Sequence, residues 1–172
     1  MPPLLPKSLA VCRGWRSYDM QQKRLTPLQA KQTIKHFCAY QERCHSEVKE
    51  KLFAGGLTEN EVDEIISELI SEDYLNEERF ARAFARGKFR MKQWGRIKIR
   101  YELKKRSVSD YCIKKGLSEI DGDEYDKTLK KLFDEKEKLL RGEKNIFTKK
   151  KKICDYLIQK GYERELIMEL FK

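Results

Sequence analysis

The chain lacks most of the features on which enzymes and membrane proteins depend. Its 172 residues include only two histidines, four prolines and five cysteines. The sequence has no phosphate-binding G-x-x-x-x-G-K-[ST] loop, no H-E-x-x-H motif and no dinucleotide fingerprint. No apolar run approaches the roughly 18 residues that cross a bilayer. An enzyme and a membrane protein are therefore disfavoured, and we predict no catalytic residue and no cofactor.

The cysteines follow no pattern typical of disulfides or of zinc. Because their number is odd and no C-x-x-C pair occurs, we expect a cytoplasmic protein in a reducing compartment. Two histidines and two cysteines lie close together, namely His36, Cys38, Cys44 and His45. On a helix, positions 36 and 38 would point about 160° apart, and an adjacent Cys-His pair resembles no common zinc arrangement. We predict no metal site and interpret these cysteines as core residues.

What the chain has in excess is positive charge, concentrated in one stretch. Residues 79–106, the basic segment, contain twelve bases and one acid and carry a net charge of +11, whereas the remaining 26 bases and 27 acids give −1. Residues 57–78, the acidic segment, contain nine acids and no base. Charge gathered in one block creates a local field that attracts polyanions. We therefore predict a binding surface in the basic segment and interpret the acidic segment as its electrostatic complement.

An apolar pattern that recurs three times predicts the fold. Corresponding residues are separated by 51 and then 54 positions: Val48, Ile99 and Ile153; Leu52, Leu103 and Leu157; Leu57, Val108 and Tyr162; Val62, Ile113 and Ile167; Ile66, Leu117 and Phe171. Each copy has apolar i, i+4 pairs on two helices, separated by a turn at Gly56, Ser107 or Gly161. The pattern is typical of helix-turn-helix units.

Helix-start signals place a further helix before each pair. Thr26 with Gln29 and Thr58 with Glu61 form capping boxes, and Asn76 is a predicted N-cap. We predict an all-α fold of three tandem three-helix repeats in an elongated, curved array. The repeats are placed at 26–75, 76–122 (the basic repeat) and 123–172. Residues 1–25 contain three prolines and no convincing cleavage site, so we predict a disordered tail and no secretion signal.

The bases of the middle repeat are predicted to lie on exposed helix faces. Phe80, Phe84 and Met91 fall within about 40° of one another and are predicted to face the core, whereas the arginines of the first helix lie roughly 130° away. Like charges at i, i+4 repel, so four arginines without a glutamate among them indicate a function. The predicted contact residues are Arg79, Arg82, Arg86, Lys88, Arg90, Lys92, Arg96, Arg100, Lys104 and Lys105. Trp94 is expected to pack at the helix corner, with stacking on a base as the alternative.

Two segments resemble the RecX family of bacterial recombination regulators. In that family's pattern a leucine and an acidic pair precede Arg-Phe-Ala, followed by Trp-Gly, an Ile-Arg segment and Glu-Leu, as in residues 74–81 and 94–103. Residues 38–52 and 149–161 resemble the family's first and third repeats. The resemblance therefore extends from Thr26 to the C-terminus.

The sequence departs from the family pattern at two places. Asn76-Glu77 replaces the usual pair of aspartates, which keeps an N-cap and a negative charge near the helix start. Ser107 stands where the family generally has glycine, which makes a left-handed turn less favourable.

The resemblance implies a non-enzymatic protein that binds the RecA recombinase filament on single-stranded DNA. Family members lodge in the helical groove of the filament and usually inhibit its ATP hydrolysis, its strand exchange and its stimulation of repressor self-cleavage. We accordingly expect a monomeric regulator of recombination and the SOS response, with no membrane partner and with weak binding to single-stranded DNA alone. The alternative is an autonomous helical DNA-binding protein, which would hold naked DNA well at about physiological ionic strength.

Overall fold

The structure is a computed structural model that describes residues 24–171. Every regular element in this range is an α-helix: α1 (Pro27–Tyr40), α2 (His45–Ala54), α3 (Glu59–Ser71), α4 (Glu77–Lys92), α5 (Arg96–Lys105), α6 (Asp110–Leu117), α7 (Gly122–Leu139), α8 (Ile146–Lys160) and α9 (Arg164–Glu169). The predicted all-α fold of three-helix units is confirmed. None of these helices combines the length and the apolar character that a membrane span requires.

The exact limits of the three repeats stay predictions. Of the predicted tail 1–25, all but Arg24 and Leu25 lies outside the described residues. These two residues contact the turn between α2 and α3, where the Leu25 backbone N–H donates to the Gly55 carbonyl at 3.0 Å.

Side-chain caps fix the starts of several helices. The Thr26 hydroxyl accepts from the backbone N–H of Gln29 at 3.3 Å, and the Gln29 side chain accepts from the backbone N–H of Thr26 at 3.2 Å. Thr58 forms the same kind of box with Glu61, and the Asn76 side chain accepts from the backbone N–H of Arg79 at 3.0 Å. All three predicted caps are confirmed. Each satisfies backbone donors that a helix start leaves without intrahelical partners.

The apolar residues form two core clusters. One cluster is built by α1, α2 and α3, and the other is shared by α4 to α9. In four of the five predicted sets of corresponding residues every member is buried, whereas Leu117 and Phe171 of the fifth set are partly buried. Cys44, at the start of α2, enters the second cluster and links the first three helices to it.

The cysteines near residue 40 are core residues, as predicted. Cys38 packs in the first cluster and Cys44 in the second, so the two side chains serve different cores. Within residues 24–171 no group of three or more histidine, cysteine or acidic side chains is arranged to hold a metal ion.

The turn between the second and third helix has a left-handed residue in every repeat. Gly56, Ser107 and Gly161 have φ angles of 81°, 59° and 93°. A Cβ atom disfavours this region, which glycine occupies without penalty. Ser107 nevertheless adopts it, so the departure from glycine leaves the geometry of the turn unchanged.

The corner between α4 and α5 is joined to the turn between α8 and α9. The backbone N–H of Gly95 donates to the Lys160 carbonyl at 2.9 Å, and that of Ile97 donates to the Gly161 carbonyl at 3.0 Å. A Cβ atom on Gly95 would lie 2.1 Å from the Gly161 oxygen, so only glycine permits this approach. Trp94 packs against the second core cluster at this corner, as predicted. The contact fixes the two basic helices on the rest of the molecule.

Candidate nucleic-acid and protein interface

Helix α4 turns one face to the core and presents its bases on the other. Phe80, Ala81, Ala85 and Phe89 are buried. The predicted core position of Met91 is wrong, because this side chain is 81% exposed. The C-terminal part of α4 buries Phe89, whose ring centroid lies 5.8 Å from that of Tyr125 on α7. Since positions 89 and 91 point about 160° apart on a helix, burying the phenylalanine turns the methionine outward.

Three arginines on α4 and α5 form what we call the exposed arginine set: Arg86, Arg90 and Arg100. All three are exposed, and none makes an ion pair with any residue of 24–171. Arg86 and Arg90 are four residues apart and therefore lie on one face of α4. Their charges repel each other without compensation from the fold, so the set is available to an external anion.

Arg79 has acidic partners within the protein. Its Nε donates to Glu42 Oε1 at 2.6 Å and its Nη1 to Asp73 Oδ2 at 2.8 Å. Partial burial lowers the pKa of Arg79, but the hydrogen bonds to the two carboxylates outweigh this effect and leave the pKa raised. The side chain ties the α1–α2 connection to the α3–α4 connection. A substitution here would therefore change stability as well as charge.

Arg82 also has two carboxylate partners within the protein. It donates to Glu78 Oε1 at 2.7 Å, one turn earlier on α4, and to Glu119 just beyond α6. The hydrogen bonds that Arg82 donates to Glu78 and Glu119 raise its pKa. The residue thus contributes to the packing of α6 against α4.

The structure divides the ten predicted contact residues into two groups. Carboxylate partners within the chain are found for three of them: Arg79, Arg82 and Lys104, whose Nζ lies 3.2 Å from Asp110 Oδ1. Within the described range the other seven make no ion pair: Arg86, Lys88, Arg90, Lys92, Arg96, Arg100 and Lys105. Arg96 is partly occupied, because its guanidinium stacks 4.1 Å from the ring centroid of Tyr125. Contact by any of the ten with a partner stays a prediction.

The acidic segment was interpreted as the electrostatic complement of the basic segment, but it forms few ion pairs with it. Most of its paired carboxylates bind bases that precede it: Arg24 with Glu61, Lys31 with Glu68, Lys35 with Glu72, and Lys49 with Asp63. Only Asp73 and Glu78 form ion pairs with the basic segment. The reason is that α3 packs against α1 and α2, which bring these bases to it. The interpretation as an electrostatic complement is therefore wrong for most of the segment, and the positive field of α4 and α5 is left largely uncompensated.

Sequence reasoning missed a groove between α4 and the start of α2. Its volume is about 390 Å³, and its lining includes Ala83, Gly87 and Met91 from α4. These residues follow one another at intervals of four, so they lie in one row along the helix. The signal that would have found the groove is this row of small residues ending in a methionine.

The fold and the charge distribution together define an all-α protein of three-helix units with an exposed basic surface on α4 and α5. Residues 76–117, which include α4, α5 and α6, match the family model for the second three-helix domain of RecX. This segment belongs to the RecX family, and the relatives of the chain described next are regulatory proteins of that family.

Relatives from several bacteria align with most of the chain. The regulatory protein RecX of Geobacillus kaustophilus is 29% identical over 138 residues, which are 80% of this chain and 51% of that protein. RecX of Prosthecochloris aestuarii is 26% identical over 135 residues, or 77% of this chain and 85% of that protein. The crystal structure of RecX from Lactobacillus salivarius shares the fold, with a TM-score of 0.70 and 24% identity over 84% of this chain and 94% of that one. The chain spans about half the length of the Geobacillus relatives it matches.

Proposed function

We propose that the chain regulates homologous recombination and the SOS response by binding the RecA filament on single-stranded DNA. Binding inhibits the ATP hydrolysis of the filament, its strand exchange and its stimulation of repressor self-cleavage. The regulator acts in the cytoplasm as a monomer, without a cofactor and without a membrane partner. The match of residues 76–117 to the RecX family and the family motifs of residues 74–103 support this proposal.

The exposed arginine set is the observation that carries the proposal. A guanidinium presents paired donors that match phosphate and carboxylate oxygens, and a filament of recombinase on DNA offers both groups. Arg86, Arg90 and Arg100 lack ion-pair partners within residues 24–171, so binding an anion costs them no internal contact. Inhibition then arises because the bound regulator bridges filament subunits and opposes their movements during ATP turnover.

Replacement of the set by glutamates tests the proposal. The variant Arg86→Glu, Arg90→Glu, Arg100→Glu should need at least about tenfold more protein for half-inhibition of ATP hydrolysis by preformed filaments, a loss of about 1.4 kcal/mol or more. Helical circular dichroism and thermal unfolding should stay close to those of the parent, because surface substitutions away from specific contacts have small effects.

A matched control changes the same amount of charge elsewhere. Lys127, Lys130 and Lys131 are exposed on α7, make no ion pair within the described part of the chain, and lie close to acids such as Asp134. Their triple replacement by glutamate should leave inhibition unchanged. If the arginine variant inhibits as well as the parent, the contact surface lies elsewhere, and the lysines of 149–152 are the next candidates.

Autonomous DNA binding is the second candidate function, because the same exposed cations would also hold naked DNA. Phosphate contacts give an affinity that falls steeply as the salt concentration rises. A filament regulator requires recombinase for strong binding at about physiological ionic strength, whereas a direct DNA binder does not. Titration of the chain against single-stranded DNA with and without recombinase distinguishes the two.

A further inference from the structure

We propose that the groove beside α4 receives an apolar side chain, flanked by a carboxylate, from a recombinase subunit, and that the exposed arginine set contacts the DNA phosphates. This inference rests on the proposed function. It assigns the protein and the nucleic acid of the filament to two different parts of the basic helices.

The groove has open space above α4. Ala83 and Gly87 are its small residues on the helix, and a Cβ atom added at Gly87 would meet no other atom within 4 Å. Phe80 lies deep, with 4% of its surface exposed, and Phe84 packs beside it at a ring-centroid distance of 5.7 Å. Aliphatic and aromatic surface around a concave space of about 390 Å³ accommodates a large apolar side chain.

Met91 extends this apolar surface out of the groove. It lies four residues beyond Gly87 on the same row and is 81% exposed. An unbranched thioether side chain adapts to surfaces of different shape, so exposed methionines are common at binding surfaces. An exposed apolar side chain next to an apolar concavity is typical of a protein contact.

The charges around the groove favour an acidic neighbour for the apolar anchor. Lys88 and Lys92 line the groove and form no ion pair with any residue of 24–171. The two acids of the lining already have cations nearby: Glu42 accepts from Arg79 at 2.6 Å, and Glu47 lies 3.9 Å from each of two arginines. Two ammonium groups are thus left to attract a carboxylate of the incoming segment.

A nucleobase fits the groove less well than a protein side chain does. Bases of single strands stack on exposed aromatic faces. Here Phe80 is buried, and the ring of Phe84 is covered by the ammonium of Lys88 at 5.2 Å and the guanidinium of Arg106 at 4.9 Å. These observations favour the protein component of the filament.

Filling the groove tests the inference. Gly87→Leu places an apolar side chain in the open space and removes a glycine from a helix interior, so we expect the variant to fold. The matched control is Gly122→Leu at the exposed start of α7, where an added Cβ also meets no atom within 4 Å. Met91→Ser is a second variant, which removes the exposed part of the apolar surface without filling anything.

Two affinities are measured for each variant: that for the RecA filament on single-stranded DNA and that for single-stranded DNA alone. Gly87→Leu should weaken filament binding about tenfold or more, Met91→Ser should weaken it in the same direction, and Gly122→Leu should leave it unchanged. Affinity for DNA alone should stay within about twofold for all three, because none of them changes a charge.

Each remaining outcome overturns a defined part of the proposal. If both groove variants bind the filament as tightly as the parent, the groove is not a contact and only this inference fails. An equal loss of affinity for DNA alone would show that the groove holds a base. A parent chain that binds no filament overturns the proposed function, and this inference with it.

Discussion

Gly87 lies in the middle of α4, where glycine is the least favourable residue after proline. Because an added methyl group meets no atom within 4 Å, Gly87→Ala should stabilise the fold by about 0.5–1 kcal/mol through a smaller loss of backbone entropy. Thermal unfolding followed by circular dichroism should show a melting temperature raised by about 1–4 °C.

Replacement of Gly116 on α6 by alanine should have the opposite effect on stability. A Cβ atom there would lie 2.7 Å from the carbonyl oxygen of Ala81, at the contact between α6 and α4. Gly116→Ala should therefore destabilise the fold by about 1–3 kcal/mol. If Gly116→Ala leaves the melting temperature unchanged or raises it, the close packing of α6 on α4 is not as described.

For the arginines of α4, the local sequence predicts which face of the helix they share but not all of their ion-pair partners. Their spacing correctly predicts a common face away from the core, because a helix repeats every 3.6 residues. Two of the carboxylates that engage these arginines are far away in sequence: Arg79 meets Glu42, and Arg82 meets Glu119, each 37 positions distant. Local sequence contains no signal for these pairs.

At the scale of the helices, the caps and the repeat pattern were predictable because they depend on local chemistry. A threonine or asparagine side chain reaches a backbone N–H three residues away, and an i, i+4 apolar pair shares one helix face. No cap was predicted for α7, which begins at Gly122 after its cap Asp121. That first turn is almost entirely exposed and polar, so apolar periodicity gave no signal for it.

Predictions that depended on packing between helices were the ones that failed. Met91 shares the angular position of Phe80 and Phe84, but Phe89 takes the core side of the last turns of α4 because Tyr125 of α7 packs there. The acidic segment was matched to the basic segment because the two are adjacent in sequence. Folding places α3 against α1 and α2 instead, and these helices supply its cations.

The corner at Trp94-Gly95 between α4 and α5 is in backbone contact with the turn between α8 and α9. Gly95→Ala should be strongly destabilising, because its Cβ would lie 2.1 Å from the Gly161 oxygen and 2.5 Å from the Tyr162 nitrogen. The two backbones would have to separate and give up the hydrogen bonds from Gly95 and Ile97. We expect a loss of about 3 kcal/mol or more in the free energy of unfolding.

Urea unfolding measures this loss, with Gly122→Ala as the control at a site with open space. The control should remain close to the parent in its unfolding midpoint. An unfolding midpoint of Gly95→Ala close to that of the parent would mean that the corner and the α8–α9 turn are not in backbone contact.

At the scale of the whole molecule, the ion pairs are unevenly distributed. Most paired acids of the acidic segment have basic partners in or next to α1 and α2, whereas several bases of α4 and α5 have no acidic partner within residues 24–171. The helices α1 to α3 contain both the acids of the acidic segment and the bases that bind most of its paired carboxylates. Helices α4 and α5 carry the excess charge. Such a polarised molecule approaches a polyanion in a preferred orientation, with the basic helices first. Under the proposed function, this orientation brings the exposed arginine set and the groove beside α4 to the filament together.

The salt dependence of binding reports how many phosphates the basic helices contact. For single-stranded nucleic acid the logarithm of the affinity falls with the logarithm of the salt concentration by about 0.7 per neutralised phosphate. If Arg86, Arg90 and Arg100 each contact one phosphate, their replacement by alanine should make the slope for single-stranded DNA shallower by about 2. Replacement of Lys127, Lys130 and Lys131 by alanine should change it by less than about 0.5, because these lysines lie on α7, outside the basic helices. Fluorescence anisotropy titrations between about 50 and about 200 mM salt give the three slopes. Equal slopes for the parent and the arginine variant would show that the exposed arginine set does not contact DNA.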